Sequence, residues 1–410
     1  MTITKTIKFG VLLTEEQKRD FNRIMGCFRF VWNAYIEEAE RRHGCGESFI
    51  TDRKFSATKR KELMAEHEWL DECPKHPINY VLQSVYNAYK KFFKNPGPTG
   101  KPKFKSKYRN PINSYVSDSC HVRLNPDKGT VKISHFKEFT ICRRELKRLK
   151  NQEIAKIWNA KLVRDTLGNF VICLTIEDPT WDMLDGRAGT SRAIGIDVGL
   201  VKLATLSDGR VYENPCRFNK RYLHADKMIR RLQNIISRKA KIKYSRGIRG
   251  RDVYHSKTQD KLWYRVRKYY QIKVNIIHDT IKKICHEIVA ARPIYVNIED
   301  LKIQEMTKGK GRRIQREIRA ANLYYFREFM IHKCREYRVP IHLVPTDFPS
   351  TKKCSCCGKV KKKEDYRLTK GRLYVCKCGH KMDRDLNAAI NILRCENVTL
   401  ASDDAGLLAG

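Results

Sequence analysis

The sequence predicts a multidomain α/β protein, in which a small β-barrel or sandwich interrupted by helices precedes a mixed domain with a cysteine cluster. Three observations support this fold class. Short β-type segments follow one another closely over 112–178, as in small barrels and sandwiches. Apolar residues recur at helical spacing over 13–95. Two apolar strands, at 192–200 and 294–298, end in acidic residues and are separated by a long helical stretch.

The charge of the chain predicts a polyanionic partner. Its 410 residues, enough for about two to four domains, include 84 lysines and arginines against 45 aspartates and glutamates, a formal net charge of +39. Nucleic acid is the expected partner for such an excess. An anionic membrane surface is the alternative, but that charge is usually confined to one cluster or amphipathic helix. Here the charge runs along nearly the whole chain, so no membrane partner is expected.

The cysteines predict a reducing compartment with one metal site. Of the 15 cysteines, ten are scattered singly, as reduced core residues are, and five lie between 354 and 378. The N-terminus leads into no signal-type apolar segment, and no apolar run is long enough to cross a bilayer. A cytoplasmic location is therefore expected.

The N-terminal part begins with a strand within 1–12 and continues as a helical domain at 13–95. Thr14 and Gln17 have the form of a capping box at the start of a helix. An aromatic stripe at helical spacing follows, and we interpret it as helix packing.

Residues 95–107 differ abruptly from the helical domain, because their prolines and glycines exclude a helix. Four lysines alternate with other residues in this segment: Lys101, Lys103, Lys105 and Lys107. Two interpretations stay open. The segment is either a solvated linker or an edge segment that lies along a phosphate backbone.

The β-type segments within 96–180 predict the barrel or sandwich. Residues 165–169 predict a hairpin turn between its last two strands. If the N-terminal strand joins this sheet, the helical domain is an insertion between its first strands. A polar linker is expected at 181–191.

The second domain, at 192–350, begins with the strand that carries Asp197, and a turn at 207–210 predicts a hairpin partner strand. RNase H-like domains begin with such a meander, with an acid on its first strand. The segment 217–290 is helical and strongly basic. Its charge is of one sign, whereas stabilising pairs within a helix need both, so binding to a nucleic-acid backbone is favoured. The candidate contacts are Arg230, Arg231, Arg238 and Lys239.

A mobile loop rich in glycine and arginine is expected at 304–319, with Arg312 and Arg313 as candidate nucleic-acid contacts. A helix at roughly 320–337 and a strand at 341–344 follow it. The tail at 398–410 is expected to be disordered.

The clustered cysteines predict a zinc site. Cys354 and Cys357 have the two-residue gap of a zinc knuckle, whereas Cys376 and Cys378 are separated by a single residue. These four predict a tetrahedral, closed Zn²⁺ site, which is structural because it leaves no position for a substrate. Cys356 is an extra thiol, and the spacing leaves open whether it replaces one of the four.

Three acids lie on three separate elements: Asp197, Glu299 and Asp385. For any one of them, a turn residue at a strand end is the ordinary explanation. Mg²⁺, however, needs only a few carboxylates beside water and substrate phosphate. Two such ions can activate a water and stabilise the leaving oxygen in phosphodiester cleavage. In a strongly basic chain, the three acids together predict a metal-dependent nuclease.

Residues near these acids are assigned other roles. Gly195 and Gly199 permit close backbone approach on the first strand. Asp300 is expected to be structural, because strand alternation points it to the face opposite Glu299. Arg384 is expected to contact phosphate or to pair with a neighbouring acid.

Four motifs occur in order along the chain: GIDVG, VNIEDL, CSCCG with CKCG, and DRDLNAAINI. This series resembles the TnpB nucleases encoded by insertion sequences, which are similar to the smallest type V CRISPR effectors. The resemblance covers residues 190–395 and, more weakly, the N-terminal strand, the FRFVWN helix and the GKPKFKSK segment. The CKCG spacing is a known kind of variation in such ribbons.

The resemblance implies an architecture of four parts. These are a wedge β-barrel formed by 1–12 and 96–180, a helical recognition domain at 13–95, an RNase H-like (RuvC) nuclease domain at 192–350 with its last helix at 383–397, and an inserted zinc ribbon at 351–382 that binds target nucleic acid.

The resemblance also implies an activity, an RNA-guided DNA endonuclease. Asp197, Glu299 and Asp385 would be the RuvC triad and bind Mg²⁺, for which Mn²⁺ can substitute. Asp385 is assigned to the triad in preference to Asp383, because Asp385 matches the acid of the family's D-x-N-A element. The implied partners are a structured guide RNA, a double-stranded DNA target beside a short adjacent motif, and the guide–target heteroduplex. A monomer or homodimer, associated with the nucleoid in a prokaryotic cytoplasm, is expected.

Three alternatives remain at the level of sequence. An RNA-free, structure-specific RuvC-type nuclease would leave the domains before residue 190 without a role. A guide-dependent DNA-binding or regulatory protein without cleavage is less favoured, because the set of acids is intact. A transposase is the third, but in these elements the accompanying chain carries that chemistry on a tyrosine-based site.

Overall fold

The computed structural model describes residues 4–46, 53–94, 99–107, 110–151, 154, 156–177, 192–362 and 372–401. The linker predicted at 181–191 lies outside these ranges, as do residues 402–410 of the predicted tail. The chain divides into two compact units, Met1–Asp182 and Met183–Gly410. In the described ranges, no helix combines the length and the apolar character that crossing a bilayer requires.

The first unit combines helices with one large sheet. Its elements are β1 (Thr4–Leu12), α1 (Glu15–Gly44), α2 (Arg53–Glu66), α3 (Lys75–Lys94), β2 (Ser114–Asp118), β3 (Arg123–Asn125), β4 (Thr130–Lys132), β5 (Phe139–Ile141), α4 (Arg143–Lys150), β6 (Ile157–Arg164) and β7 (Phe170–Glu177).

The seven strands form one sheet in the order β2-β6-β7-β1-β5-β4-β3. The N-terminal strand β1 is central and pairs antiparallel with β7 and β5, so α1–α3 lie between the first two strands in sequence. The two edge strands, β2 and β3, are joined by a 3-10 turn at Ser119–His121, which makes the sheet curl. Among the described residues no pairing closes it, so the predicted barrel or sandwich is a half-barrel.

The aromatic stripe of α1 packs onto this sheet, which confirms its interpretation as helix packing. Phe21, Phe28 and Tyr35 are all buried, and the Phe21 ring meets Phe170 of β7 edge-on at 5.1 Å between centroids. The capping box is also confirmed, because Thr14 and Gln17 exchange two hydrogen bonds between side chain and backbone.

The hairpin predicted for the first unit is confirmed, whereas helix α4 was not predicted. The hairpin at 165–169 joins β6 to β7, and Asp165 Oδ1 accepts hydrogen bonds from the N–H groups of Leu167 and Asn169, both at 2.8 Å. Helix α4, at 143–150, lies between two of the predicted β segments. Leu146 and Leu149, three residues apart, pack against the core while cations face solvent, and this is helical periodicity.

The second unit is a mixed sheet with helices on both faces. Its elements are β8 (Ile194–Val198), β9 (Lys202–Leu206), β10 (Val211–Glu213), α5 (Pro215–Phe218), α6 (Lys220–Ser245), α7 (Lys257–Ala290), β11 (Val296–Glu299), α8 (Ile303–Thr307), α9 (Arg312–Ala321), α10 (Leu323–Glu336), β12 (Ile341–Val344), β13 (Leu373–Val375), β14 (Lys381–Asp383), α11 (Arg384–Leu393) and β15 (Thr399–Leu400).

Six strands form the main sheet in the order β10-β9-β8-β11-β12-β15. The first three make the predicted antiparallel meander, whereas β11 is parallel to both β8 and β12. One face packs against α7 and α10 through an apolar core that includes Ile196, Ile281, Ile298 and Phe326. Helix α11 lies against the other face.

Two predictions for the second unit are wrong. Most of 304–319 is helical, in α8 and α9, because Ile318 and Ala321 provide a buried stripe that a mobile loop would not need. The predicted disordered tail contains β15, which pairs antiparallel with β12. Val398 supplies the reason, since it packs on a small apolar cluster around Val344 and Ile392.

Candidate active site and metal centre

The candidate acids Asp197 and Glu299 lie on neighbouring parallel strands. In the register of β8 and β11, Gly195 is opposite Asn297 and Ile196 is opposite Ile298, so Asp197 and Glu299 are the next pair. Because side chains alternate along a strand, both carboxylates point to the face on which α11 lies, at the carboxyl ends of their strands.

Gly195 lets α11 lie directly on this face. A Cβ atom added at Gly195 would be 2.6 Å from the backbone nitrogen of Leu393 and closer still to the carbonyl oxygen of Ala389. Asn297 fixes the same helix, because its Nδ2 donates to the carbonyl oxygens of Ile392 and Leu393 at 3.1 and 3.0 Å. The helix begins at Arg384, so this packing brings Asp385, in its first turn, to the edge where the strand acids lie.

The charges of Glu299 and Asp385 act unfavourably on the ionised form of Asp197. Burial, followed by the negative charges of Glu299 and Asp385, raises the pKa of Asp197 well above its usual value. Burial also raises the pKa of Glu299, against a hydrogen bond from Ser350 that lowers it. Such a cluster of acids fits cations, because a bound cation would offset both the desolvation and the repulsion.

Asp383 holds the start of α11 through its hydrogen bonds. Its Oδ1 accepts hydrogen bonds from the N–H groups of Asp385 and Leu386 at 2.9 and 3.2 Å, as an N-cap does. Its Oδ2 pairs with Lys202 of β9 at 2.8 Å. Burial alone would raise the pKa of Asp383, but these hydrogen bonds lower it. Lys202 was not identified from the sequence, where nothing separates it from many other lysines.

The two remaining neighbours are paired. Arg384 Nη2 lies 3.4 Å from an oxygen of Asp385, which is one of the two roles expected for it. Asp300 forms an ion pair with Arg327 of α10, on the other side of the sheet. This pairing agrees with a structural role for Asp300.

The four cysteines form one group. The sulfurs of Cys354, Cys357, Cys376 and Cys378 all lie within 4.8 Å of one another. In the described ranges, no other set of three or more His, Cys, Asp or Glu side chains brings its ligand atoms this close together. The Cys354–Cys378 and Cys357–Cys376 separations are 3.8 and 3.7 Å. A zinc tetrahedron with Zn–S bonds of about 2.3 Å has edges of about 3.8 Å, so the group fits a Zn²⁺ ion. Cys356 is exposed and outside the group.

Two asparagines of α11 join the cysteine group to the sheet. Asn391 Nδ2 donates to the carbonyl oxygens of Ser350 and Lys353 at 2.8 and 2.7 Å. Asn387 Nδ2 donates to Lys353 O at 2.8 Å, and its Oδ1 accepts from the N–H of Ser355 at 2.9 Å. Sequence reasoning missed both residues. Their signal is two asparagines four residues apart within an otherwise apolar helix, where buried amides need partners.

The described part of the lysine-rich segment, residues 99–107, has no regular secondary structure and is hydrogen-bonded to α1. Trp32 Nε1 donates to Lys103 O at 3.1 Å, and Asn33 exchanges two hydrogen bonds with the backbone of Lys105. The ammonium of Lys105 lies 4.6 Å from the centre of the Trp32 ring. Lys101, which pairs with Glu40 at 3.2 Å, is exposed, as are Lys103 and Lys107.

The other candidate nucleic-acid contacts lie on helices of the second unit. Three of the four on α6 are exposed and Lys239 is half-buried, while Ile229, Leu232 and Ile236 of the same helix are buried. Arg230 also pairs with Asp226 at 2.6 Å. Arg312 and Arg313 are exposed in the first turn of α9.

Three family models match the chain. One described as a probable transposase, OrfB_IS605, matches residues 172–310, and the helix-turn-helix domain HTH_OrfB_IS605 matches residues 1–48. The Cas12f1-like TNB domain matches residues 324–392, which include the cysteine group and most of α11.

Two curated proteins resemble the chain over nearly its whole length. A "Putative RNA-guided DNA endonuclease" of Streptomyces pristinaespiralis is 25% identical and aligns over 95% of this chain and 89% of its own length. The "Putative RNA-guided DNA endonuclease InsQ" of Escherichia coli (strain K12) is 24% identical and aligns over 97% of this chain and 93% of its own length. A solved structure of a Cas12f1–sgRNA–target DNA complex is 14% identical, covers 96% of this chain and 99% of that chain, and has a TM-score of 0.34. By its family models and relatives, the chain is similar to the TnpB (OrfB) proteins of insertion sequences.

Proposed function

We propose that this protein is an RNA-guided DNA endonuclease that cleaves phosphodiester bonds at Asp197, Glu299 and Asp385. The observation that carries the proposal is that these acids, from β8, β11 and α11, lie at one edge of the sheet, near enough for Glu299 and Asp385 to raise the pKa of Asp197. A structural role alone does not account for a buried acid that lies beside two others which destabilise its ionised form. The sheet order, with its antiparallel meander and two parallel strands, supports an RuvC-like domain.

The chain's own residues would do three things in this reaction. The three carboxylates would hold Mg²⁺, or Mn²⁺ in its place. The Asp383 cap and its partner Lys202 would fix the helix start that carries Asp385. Exposed cations would hold the nucleic-acid backbone near the site. When bound, two divalent ions supply an activated water and stabilisation of the leaving oxygen.

The partners proposed are a structured guide RNA and a double-stranded DNA target. Two relatives are named as RNA-guided DNA endonucleases, and the net charge of +39 suits two polyanions. In guided systems base pairing reads the target, while the protein reads heteroduplex shape and a short adjacent motif. We assign the wedge and recognition roles to the first unit, and the cleavage and target-binding roles to the second.

Purification provides the test of this function. The protein should co-purify with an RNA of defined sequence, and the complex should cut plasmid DNA that carries the matching target. Nuclease digestion of the RNA should remove cleavage. Undiminished cleavage by nucleic-acid-free protein would instead support an RNA-free RuvC-type nuclease, and RNA-dependent binding without cleavage would support a regulatory protein.

The cysteine group should contain one Zn²⁺ per chain. Replacing Cys354 and Cys357 together with serine should remove this ion, because two of four thiolates cannot complete a closed site. Elemental analysis measures the result, and Cys356→Ser is the matched control, since its exposed thiol lies outside the group. Zinc-free wild-type protein, or loss of zinc in the control, would contradict the assignment.

A further inference from the structure

Ser350 lies between the candidate active site and the cysteine group. Its side chain is buried, at 4% exposed, and its Oγ donates to Glu299 Oε1 at 2.6 Å. Its carbonyl oxygen accepts from Asn391 Nδ2 at 2.8 Å. One residue therefore contacts a candidate metal ligand through its side chain and helix α11 through its backbone.

The Ser350 hydroxyl contacts one of the two oxygens of the Glu299 carboxylate. A glutamate has three side-chain torsions, so its place at the end of β11 does not by itself fix its oxygens. The bond from Ser350 is short, as expected for a hydroxyl that donates to a charged acceptor. It occupies Oε1, and within the described part of the chain Oε2 has no hydrogen-bond donor, which leaves it available to a cation.

We propose that Ser350 is a positioning residue, which holds Glu299 in the orientation that binds a divalent cation and ties it to the loop carrying Cys354. This proposal rests on the proposed function, because it assigns Ser350 a part in the same site. Removal of such outer partners of metal ligands typically lowers metal affinity or activity by about 10- to 100-fold.

The hydrogen bonds around Cys354 extend this positioning role to the cysteine group. Asn387 and Asn391 hold the backbone on both sides of Cys354 against α11, the helix that also begins with Asp385. Asn391 holds the backbone of Ser350 as well. The cysteine loop, Asp385 and Glu299 thus share one hydrogen-bonded frame.

The competing explanation is that Ser350 is an ordinary buried serine whose hydroxyl only needs an acceptor. Ser350→Thr and Ser350→Val separate the two explanations, because threonine and valine have nearly the same shape and differ in the hydroxyl. Both variants are compared with the wild type as purified RNA complexes. Four quantities are measured: the single-turnover rate of guided cleavage, Mn²⁺ affinity by electron paramagnetic resonance, zinc content and DNA binding.

We expect Ser350→Val to lower the cleavage rate by about 10- to 100-fold and Mn²⁺ affinity by about tenfold or more, with zinc content and DNA binding unchanged. Ser350→Thr should stay within about threefold of the wild type, because it keeps the donor. Ser117→Ala is the matched control: Ser117 is also buried, at 3% exposed, but lies on β2 of the first unit. Ser117→Ala should change neither the cleavage rate nor the Mn²⁺ affinity.

Equal Mn²⁺ affinities and rates for the valine and threonine variants would overturn the proposal. If both the threonine and the valine variant lose zinc, Ser350→Ala is compared with the wild type instead. An unchanged Mn²⁺ affinity in the alanine variant would overturn the proposal. Absence of guided cleavage by the wild type would refute the proposed function. The Mn²⁺ comparison decides the role of Ser350 in either case.

Discussion

Replacing Asp197 with asparagine is expected to lower guided DNA cleavage by at least about 10³-fold while the protein keeps its RNA. Asparagine has nearly the shape of aspartate, so the packing of β8 against α11 is preserved. The neutral amide, however, cannot provide the charge that holds divalent cations. Single-turnover cleavage of a target plasmid, with RNA content measured on the same sample, gives both results.

The same variant is expected to be more stable than the wild type in buffer without Mg²⁺. Burial and three neighbouring acids, Glu299, Asp385 and Asp383, raise the folded-state pKa of Asp197 above its value in the unfolded chain. An acid shifted in this direction stabilises the fold only while protonated, so its contribution is lost as the pH rises from about 4 through the raised pKa. At neutral pH the asparagine variant avoids this loss, and a gain of about 1–2 kcal/mol is expected.

Thermal unfolding at pH 7.5 and at pH 4 checks the sign, since the gain should shrink at the lower pH. Asp279→Asn is the matched control: Asp279 is 64% exposed on α7 and pairs with Lys283. It should affect neither cleavage nor stability by a measurable amount. Two results would show that Asp197 is not a metal ligand repelled by neighbouring carboxylates. One is full cleavage by the Asp197→Asn variant, and the other is a lower stability of this variant than of the wild type at neutral pH without Mg²⁺.

Gly195→Ala is expected to destabilise the second unit by about 2–4 kcal/mol and to abolish cleavage. The added methyl group would lie 2.6 Å from Leu393 N and closer to Ala389 O, both backbone atoms of α11. Backbone cannot rotate away as a flexible side chain can, so the helix must move off the sheet. Asp385, at the start of that helix, then moves away from Asp197 and Glu299. Chemical denaturation and cleavage assays measure the two effects.

Gly311→Ala provides the matched control in the same unit. Gly311 precedes α9 with a φ of −61°, and an added Cβ would meet no atom within 4 Å. Its substitution should change stability by less than about 0.5 kcal/mol. An equally small effect at Gly195 would mean that α11 does not pack on the sheet as closely as we describe.

Local patterns identified many elements correctly. The capping box of α1, the meander that begins with Asp197 and the four cysteines each depend on residues close in sequence. The errors arose where a local preference competes with packing. The stretch 304–319 suggested a loop by composition, but burial of Ile318 and Ala321 makes it helical. Thr399 and Leu400 looked like part of a tail, but β12 offers an unpaired edge to which they bond.

By itself, the sequence determined which residues are candidates: three acids on separate elements, four clustered cysteines and a large excess of positive charge. These are matters of residue type and short spacing, which local chemistry governs. Only the tertiary structure decided how they are joined. Lys202, Ser350, Asn387 and Asn391 bond to partners that lie 32 to 181 residues away. Contacts over such separations exist only once the sheet and α11 have packed, and Gly195 allows that packing by having no side chain.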